Sequence, residues 1–235
     1  MFLYQSIVDE NKKNPKLSVD RLNDIFLKIV EDLQPTHFIE AGAFEGDTSI
    51  KVKRLVPKCS VYAFEANPYN YKNFKPKFDN TDINYLHLAV SNQVGSVTFK
   101  VQKEYTNGDP ISQIRGNNSI LERTSSDIVY EDVQVPCTSL DDFFKEIITD
   151  NDSIAMWIDL EGVAYLALTG ADNVLSKTKC IKIEVEEHQY WKDQKLAHDI
   201  ISYLTDKNFI PVVRDFESKL QYNILFCSKD ILDKL

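Results

Sequence analysis

The sequence lacks an excess of basic residues. Lys and Arg together number 27 against 36 Asp and Glu, which leaves a formal net charge of -9 over 235 residues. Binding along nucleic-acid phosphates requires a positive surface, so the composition argues against a nucleic-acid partner. The densest basic group, Lys72, Lys75 and Lys77, has a spacing that favours an exposed helix face.

Cysteine pairs with metal-ligand spacing are absent as well, and so are long apolar runs. Cys59, Cys137, Cys180 and Cys227 are scattered, and three of them lie in or beside apolar stretches typical of strands. The N-terminus has no basic region followed by an apolar stretch, so we expect a cytoplasmic protein with free, buried thiols. No run of about 18 uncharged apolar residues occurs, so we expect neither a membrane span nor a membrane partner.

Repeats and low-complexity linkers are also missing, while the apolar content is ample. Hydrophobic residues make up 43% and charged residues 27% of the chain, an ordinary composition for a globular protein with a sizeable core. We therefore predict one domain over residues 1–235, with a helical extension at 1–35 and a core at 36–235. In the extension, apolar residues recur every three or four positions over 19–33, which predicts an amphipathic helix.

Strand and helix patterns alternate through the core, which predicts a doubly wound α/β fold. Parallel neighbours need crossover helices because a tight hairpin cannot join them. The predicted strands are residues 37–41, 60–64, 83–90, 133–137, 154–159, 180–185, 209–213 and 222–227, and the predicted helices are residues 47–55, 70–78, 140–148, 163–175 and 194–207.

One stretch interrupts this alternation. Residues 96–101 alternate and predict a small antiparallel excursion after Gly95, whereas residues from about 103 to 132 are polar, contain Gly108 and Pro110, and show little periodicity. Roughly thirty such residues are unusual inside a compact domain, so the stretch is either partly ordered in a way that the pattern does not reveal or a mobile functional loop, and we favour a lid over the substrate side.

The first turn of the core, from Glu40 to Ser49, has the position at which open α/β sheets bind ligands. A glycine such as Gly42 lets a ligand approach the backbone with no Cβ in the way. Glu65, at the end of the next strand, can accept hydrogen bonds from both hydroxyls of a ribose. These features predict a nucleotide-like cofactor.

The same turn lacks the spacing of a dinucleotide fingerprint. A fingerprint anchored at Gly42 requires glycine at positions 44 and 47, where Phe44 and Asp47 stand, and the middle glycine normally makes room for a pyrophosphate. Glu40, Glu45 and Asp47 add negative charge, which repels a diphosphate and suits a sulfonium and an ammonium group. The pattern therefore favours S-adenosylmethionine over NAD.

Three segments extend the comparison beyond this turn. They are Phe38-Ile39-Glu40-Ala41-Gly42-Ala43, Val61-Tyr62-Ala63-Phe64-Glu65-Ala66-Asn67-Pro68 and Ile158-Asp159-Leu160-Glu161-Gly162. Together they resemble the FkbM family of methyltransferases, with agreement in order from about residue 36 to residue 190. The resemblance implies a Rossmann-like class I methyltransferase fold, with a mostly parallel seven-stranded sheet and helices on both faces. It also implies S-adenosylmethionine as methyl donor and transfer to a hydroxyl group, often of a carbohydrate or natural product.

Two positions depart from the family pattern, since Trp157 stands in place of the usual lysine and Ala164 in place of the usual acid. Neither position belongs to the turn that is predicted to hold the cofactor. The predicted cofactor-binding residues are Glu40, Ala41, Gly42, Ala43, Gly46, Asp47, Thr48, Ser49, Glu65, Ala66, Asn67, Ala89, Val90, Ser119 and Asp159. Asn118, beside Ser119, is a further candidate, although Asn-Asn-Ser also suits an ordinary turn.

Acidic residues predict the acceptor side. Asp159 ends a strand on the ligand-binding side of the sheet, and Glu161 follows it, either as a functional acid or as a helix-start residue. Glu184 and Glu186 share the charged face of an internal strand, which requires a cleft, and His188 beyond them is either a base or a surface residue. The predicted catalytic residues are Asp159, Glu161, Glu184 and His188. Their spacing fits no dedicated metal motif, so no metal is predicted.

Three functions remain open from the sequence. The leading hypothesis is an S-adenosylmethionine-dependent O-methyltransferase acting on a sugar, a glycan or a small natural product. The second is a nicotinamide-dependent oxidoreductase, which Phe44 and Asp47 oppose. The third is a non-catalytic interaction module, which Trp157 and Ala164 suggest. No pattern indicates an oligomeric state.

Overall fold

Two β-sheets form the framework of the computed structural model, which describes residues 2–234. The strands are β1 (His37–Ala41), β2 (Ser60–Glu65), β3 (Ile83–His87), β4 (Ala89–Val90), β5 (Gly95–Tyr105), β6 (Ile128–Thr138), β7 (Ile154–Ile158), β8 (Thr178–Glu186), β9 (Phe209–Arg214) and β10 (Gln221–Ser228). The α-helices are α1 (Gln5–Lys13), α2 (Pro15–Leu33), α3 (Asp47–Leu55), α4 (Pro68–Phe74), α5 (Leu140–Phe144), α6 (Ala164–Thr169), α7 (Asp172–Lys177) and α8 (Ala197–Asp206). Short 3-10 helices follow α4 at Lys75–Phe78 and β10 at Lys229–Lys234.

The larger sheet has seven strands in the order β3-β2-β1-β7-β8-β10-β9. Its first five strands are parallel, and β10 runs antiparallel to both β8 and β9. The strand order reverses between β1 and β7, because the chain builds outward from β1 on one side and from β7 on the other. The carboxyl ends of these two strands therefore form the position at which such sheets bind ligands.

Helices cover both faces of this sheet. On one face, Ile39 of β1 packs in a cluster with Leu168 of α6 and Leu204 of α8. On the other face, the neighbouring Phe38 packs in a cluster with Phe26 of α2. Successive strand residues point to opposite faces, so the fully buried strand β1 anchors both layers. The predicted mostly parallel sheet with helices on both faces is confirmed.

Two helices precede the sheet, where the sequence pattern predicts one at 19–33. Helix α1 has no counterpart in the prediction, and α2 begins earlier, at Pro15. Proline suits a first helical position because its missing N–H would have no partner within the helix there. The backbone N–H of Leu3 donates to the carbonyl oxygen of Pro211 (3.0 Å), which ties this extension to β9.

Two predicted elements are each divided in the structure. The strand predicted at 83–90 is β3 and β4, and the chain passes from the larger sheet to the smaller one at Leu88. The helix predicted at 163–175 is α6 and α7, which are interrupted at Gly170. A Cβ at Gly170 would lie 2.7 Å from a backbone oxygen, so the close approach of another chain segment requires glycine there. An apolar pattern reveals neither break.

The smaller sheet has the order β4-β6-β5, and its two long strands β5 and β6 run antiparallel. These strands include both ends of the stretch predicted as irregular at 103–132, so the irregular segment is 106–127 and the predicted bounds are wrong. One face of an antiparallel sheet can meet solvent, which is why its strands contain polar residues. The irregular segment has contacts of its own, since the Thr124 N–H donates to the Tyr190 carbonyl oxygen (2.9 Å).

The thiols and the basic group have the surroundings expected of them. All four cysteines are free and buried. At the end of α4, the Nζ atom of Lys75 lies 2.7 Å from Asp79 and that of Lys77 lies 3.0 Å from Glu45, so acids compensate the exposed basic side chains. Within residues 2–234, no helix combines the length and the apolar character that crossing a membrane requires.

Candidate active site

A cleft opens where the strand order reverses, at the carboxyl ends of β1, β2, β7 and β8. Its cavity has a volume of about 440 Å³, within the range of pockets that enclose a small ligand. The wall is formed by the first turn with the end of β2, residues 88–90 with Phe99, the acidic ends of β7 and β8, residues 116–120 of the irregular segment, and Glu217 with Gln221 at the start of β10.

Gly42, directly after β1, has a backbone conformation that favours glycine, with φ of 86°. Its N–H and that of Ala43 donate to the Phe64 carbonyl oxygen at 3.0 and 2.9 Å. A Cβ at Gly42 would lie 1.7 Å from the carbonyl oxygen of Asp159. The close approach of the residue after β7 therefore requires glycine at this position. The sequence explains the same glycine differently, by the approach of a ligand.

Glu65 ends β2 in the cleft wall with 6% of its surface exposed. Its Oε2 accepts a hydrogen bond from the Phe44 N–H (2.7 Å), and its Oε1 accepts one from the Asn67 N–H (2.7 Å). Burial raises the pKa of Glu65 to about 7, and the two N–H donors oppose that rise. The Asn70 side-chain amide also donates to Oε1 (3.3 Å), so the carboxylate is held in place by three donors, and Oε2 keeps an acceptor position for a ligand.

Glu40 lies behind the cleft rather than in its wall. Its Oε2 accepts hydrogen bonds from the N–H (3.0 Å) and the hydroxyl (2.5 Å) of Ser49 in the first turns of α3. Burial raises the pKa of Glu40 to about 7. This pair of residues holds the helix start against β1, so its contribution to ligand binding is indirect.

The charges that the sequence assigns to the first turn are compensated at the surface. Lys77 Nζ lies 3.0 Å from Glu45 and 3.6 Å from Asp47, and both acids are at least 42% exposed. Neither acid belongs to the cleft wall. Glu45 and Asp47 therefore pair with a neighbouring lysine, which offsets part of the negative charge that the sequence assigns to the first turn.

The predicted cofactor residues divide into two groups. Seven belong to the cleft wall, and they are Gly42, Glu65, Ala66, Ala89, Val90, Ser119 and Asp159. Eight lie outside the wall, and they are Glu40, Ala41, Ala43, Gly46, Asp47, Thr48, Ser49 and Asn67. Several members of the second group position the first, as Asn67 does for Glu65.

Three of the four predicted catalytic residues meet at the other end of the cleft. Asp159 follows β7, Glu161 lies in the next turn and Glu184 is on β8, and each offers a carboxylate oxygen within 4.8 Å of the others. We call these three residues the acid cluster. Glu161 has a φ of 36°, in the left-handed region that is uncommon for a residue with a side chain.

Burial and mutual repulsion change the proton affinities of the acid cluster. Burial raises the pKa of Glu161 to about 8, and the negative charge of Asp159 adds to the rise. Burial also raises the pKa of Glu184 well above its ordinary value, with further contributions from Asp159 and Glu161. Neighbouring carboxylates disfavour one another's charged forms, so the cluster favours a proton or a cationic ligand.

Lys182 lies buried near the acid cluster on the same strand as Glu184. Its Nζ donates to Asn223 Oδ1 (2.8 Å) and lies 3.5 Å from the centre of the Trp157 ring. Trp157 and Lys182 are direct partners in the register of β7 and β8. Burial lowers the pKa of Lys182 to about 8, and Asp159 opposes this effect. A cation therefore lies beside the position where the sequence has Trp157 in place of lysine.

Asn118 and Ser119 belong to the same part of the wall but differ in their free groups. The Ser119 hydroxyl donates to the Glu161 carbonyl oxygen (2.7 Å), which fixes the irregular segment to the turn after β7. Asn118 Oδ1 accepts from the Gln102 N–H (2.8 Å), whereas its buried Nδ2 has no hydrogen-bond partner among residues 2–234. Asn118 is therefore the better placed of the two to donate to a ligand.

The comparison with protein families agrees with this geometry. The family model described as methyltransferase FkbM domain matches residues 40–211, which is most of the chain. The chain belongs to the FkbM methyltransferase family. It therefore has the fold of an S-adenosylmethionine-dependent methyltransferase, and S-adenosylmethionine is its cofactor. The nicotinamide alternative is wrong.

Solved methyltransferase structures resemble the fold of this FkbM family member at low sequence identity. A methyltransferase FkbM from Methylobacillus flagellatus KT is 14% identical with a TM-score of 0.50, and the match covers 82% of this chain and 44% of that one. The magnesium protoporphyrin IX methyltransferase from Synechocystis PCC 6803 is 11% identical with a TM-score of 0.48, covering 93% and 84%. The present chain thus spans less than half of the first of these proteins. No curated protein matches the sequence.

The residues of the cleft fit the cofactor of the FkbM family. Glu65 can accept hydrogen bonds from ribose hydroxyls, and the unpartnered Nδ2 of Asn118 can donate to a nucleoside. The apolar wall residues Phe64, Leu88 and Phe99 can contact an adenine ring. Hydrophobic patterning does not distinguish these three from ordinary core residues, so the sequence interpretation omits them.

His188 and Glu186 do not join the acid cluster. His188 lies beyond β8 on the surface, with its ring 5.2 Å from that of Tyr190. Glu186 is buried, but neither residue belongs to the cleft wall. Two polar wall residues on this side, Glu217 and Gln221, are missing from the prediction. They come from β10 and the turn before it, which are far from β7 in the sequence.

Proposed function

We propose that this chain transfers the methyl group of S-adenosylmethionine to a hydroxyl group of a sugar, a glycan or a small natural product. The observation that carries the proposal is the acid cluster, which shares one cleft with Glu65 and Gly42. An alcohol must lose its proton during methyl transfer, and a carboxylate within hydrogen-bond reach can receive it.

In this proposal the two ends of the cleft have different tasks. Glu65, Gly42, Ala89 and Val90 hold the nucleoside part of the cofactor, with Asn118 donating a further hydrogen bond. The acid cluster binds the acceptor and aligns its oxygen with the methyl carbon. Holding two reactants in line accelerates a displacement because it removes the entropy cost of bringing them together.

The acceptor hydroxyl loses one proton for each methyl group that it receives. A lone pair of the acceptor oxygen forms a bond to the methyl carbon of S-adenosylmethionine. The carbon–sulfur bond breaks, and its electrons remain on sulfur. The hydroxyl proton passes to a carboxylate of the acid cluster. Asp159 is the residue that we assign to this step, because it directly follows β7 and its N–H donates to the Ala41 carbonyl oxygen (2.9 Å), beside the first turn of the cofactor half.

The charge of the cleft also selects the acceptor. Asp159, Glu161, Glu184 and Glu217 belong to its wall. An acceptor that carries a phosphate or a carboxylate near its reactive hydroxyl meets like charge, which disfavours binding. We therefore expect the acceptor to be a neutral polyol.

We also expect residues 1–235 to act as one domain in the cytoplasm.

A labelling experiment tests this function. The chain is incubated with methyl-labelled S-adenosylmethionine and three matched series of acceptors: neutral glycosides, the corresponding sugar phosphates and uronic acids, and the corresponding amino sugars. We expect label on the hydroxyl groups of neutral compounds and little on the anionic series. Label on nitrogen alone, or on no acceptor in a broad panel while S-adenosylhomocysteine binds, would contradict the proposal.

A further inference from the structure

The acid cluster brings three carboxylates together without a matching cation. Asp159, Glu161 and Glu184 each offer one oxygen within 4.8 Å of the others. Lys182 is the nearest buried cation on these strands, but its Nζ donates to Asn223 and contacts the Trp157 ring. Within residues 2–234 no salt bridge joins a cation to the cluster, although the charges of Lys182 and Arg123 oppose the burial-driven rise in the pKa values of Asp159 and Glu161 without direct pairing. The three acids therefore have no directly paired counter-charge.

A second observation concerns one oxygen of Glu184. Its Oε2 atom exposes less than 1 Å² and has no hydrogen-bond partner among residues 2–234, although the nearby Gln221 side chain opposes the rise that burial causes in the pKa of the carboxyl group. A buried carboxylate oxygen without a partner is costly, because it has lost its hydration and gained nothing in exchange. Glu65, in the same cleft, shows the usual solution, with donors on both oxygens. The orphaned oxygen of Glu184 thus indicates a ligand that binds carboxylates.

We infer that Asp159, Glu161 and Glu184 form a binding site for a divalent cation of the magnesium class. Hard cations bind carboxylate oxygens, and magnesium keeps several coordination positions for water and substrate. Three carboxylates from the ends of β7 and β8 supply one oxygen each, which leaves the cleft side of the cation open. Glu161 supplies its oxygen from a residue with φ of 36°, a backbone conformation that is uncommon for a residue with a side chain.

The role of the cation rests on the proposed function. A hydroxyl oxygen of the acceptor takes one of the open coordination positions, which fixes its direction toward the cofactor half of the cleft. Coordination also makes the hydroxyl more acidic, because the positive charge stabilises the alkoxide. Its proton then passes to a carboxylate oxygen that does not bind the cation. Two adjacent hydroxyls could occupy two positions, so the site favours a vicinal diol.

A proton shared between Asp159 and Glu184 is the competing account of the same geometry. In that account Glu184 is a neutral acid, and glutamine is a close substitute because it is neutral and can donate a hydrogen bond. In the cation account Glu184→Gln removes a charged ligand of the metal, and the affinity for the divalent cation falls. The two accounts therefore predict opposite results for one substitution.

The test measures Mn²⁺ binding to the full chain by electron paramagnetic resonance, without acceptor, and uses Mg²⁺ as competitor. We expect one saturable site that Mg²⁺ displaces, and at least a tenfold lower Mn²⁺ affinity in Glu184→Gln. Glu186→Gln is the matched control, since Glu186 is buried on the same strand outside the cluster, and we expect its affinity within about threefold of the original.

Two outcomes would overturn the inference. One is the absence of saturable Mn²⁺ binding up to about 10 mM, above the range of weak extracellular sites. The other is an unchanged Mn²⁺ affinity in Glu184→Gln, which supports the shared proton. S-Adenosylhomocysteine affinity serves as the folding check for each variant. The Mn²⁺ measurement contains no acceptor, so a failure to methylate hydroxyl compounds does not affect the conclusion about the cation site. A failure to bind Mn²⁺ likewise does not affect the proposed methyl transfer.

Discussion

The two halves of the cleft differ in how their carboxylates are satisfied. Glu65, in the cofactor half, accepts backbone hydrogen bonds from Phe44 and Asn67. Glu184, in the acid half, keeps one buried oxygen without a partner among the residues described. A carboxylate held by backbone donors keeps its position with or without a ligand, whereas gathered carboxylates destabilise one another until a proton or cation joins them. The fold organises the first half, and a ligand completes the second.

Asp159→Asn tests whether the two halves act separately, and it has the largest expected effect. Asparagine keeps the shape of the side chain but cannot accept the proton, so kcat should fall by about 10²- to 10⁴-fold. The affinity for S-adenosylhomocysteine should change little. Single-turnover kinetics and calorimetry measure the two quantities. A parallel loss of affinity would assign Asp159 to the cofactor half instead.

Gly42→Ala tests the contact that joins the halves. The new Cβ would lie 1.7 Å from the Asp159 carbonyl oxygen, at a residue with φ of 86°. We expect the free energy of unfolding to fall by about 3 kcal/mol or more, from overpacking and backbone strain together. Gly116→Ala is the control, because its Cβ meets nothing within 4 Å. Urea unfolding of both variants should differ clearly, and equal stabilities would refute the close contact.

Glu40→Gln tests the buried support of the cofactor half through pH. Burial raises the pKa of Glu40 from 4.5 to about 7, so the folded state binds more protons than the unfolded state between these values. The contribution of Glu40 to the free energy of unfolding therefore falls as pH rises from about 4.5 to 7, by up to about 3 kcal/mol. Thermal unfolding from pH 5 to 8 should show a weaker decline in the variant. An identical decline would mean that Glu40 titrates normally.

Glu65→Ala tests the carboxylate that we expect to bind the ribose in the cofactor half. Loss of the carboxylate leaves ribose hydroxyls and two N–H groups without an acceptor, so S-adenosylhomocysteine should bind about 1–3 kcal/mol more weakly. Glu45→Ala is the control, since this exposed acid pairs with Lys77 outside the cleft wall. Calorimetry on both variants measures the difference. Equal weakening by the two changes would restore a role for the charge of the first turn.

Local patterns predict the central strand of the larger sheet and the helix that follows it. Strand β1 and helix α3 have the predicted bounds, because a fully buried strand and a short amphipathic helix leave clear patterns. The prediction fails where the chain changes partners. Nothing in residues 83–90 marks the passage from one sheet to another at Leu88, and nothing in 163–175 marks the neighbouring backbone that requires Gly170.

The candidate site shows the same limit. The sequence indicates Asp159, Glu161 and Glu184 by their positions at strand ends and on a charged strand face, and the structure brings them together. It leaves open whether His188 is a base or a surface residue, and it gives no sign that Lys182 covers Trp157. Those relations depend on how neighbouring strands are aligned, which one strand alone does not encode.

The residue types and their order were enough to determine the α/β alternation, the family and the cofactor, since these follow from local periodicity and from motifs that are continuous along the chain. The tertiary structure alone decided which acids meet, which oxygen of Glu184 lacks a partner and why Gly42 is glycine. The reason is physical: distances between side chains on different strands depend on register and packing, and these are set when the whole sheet assembles.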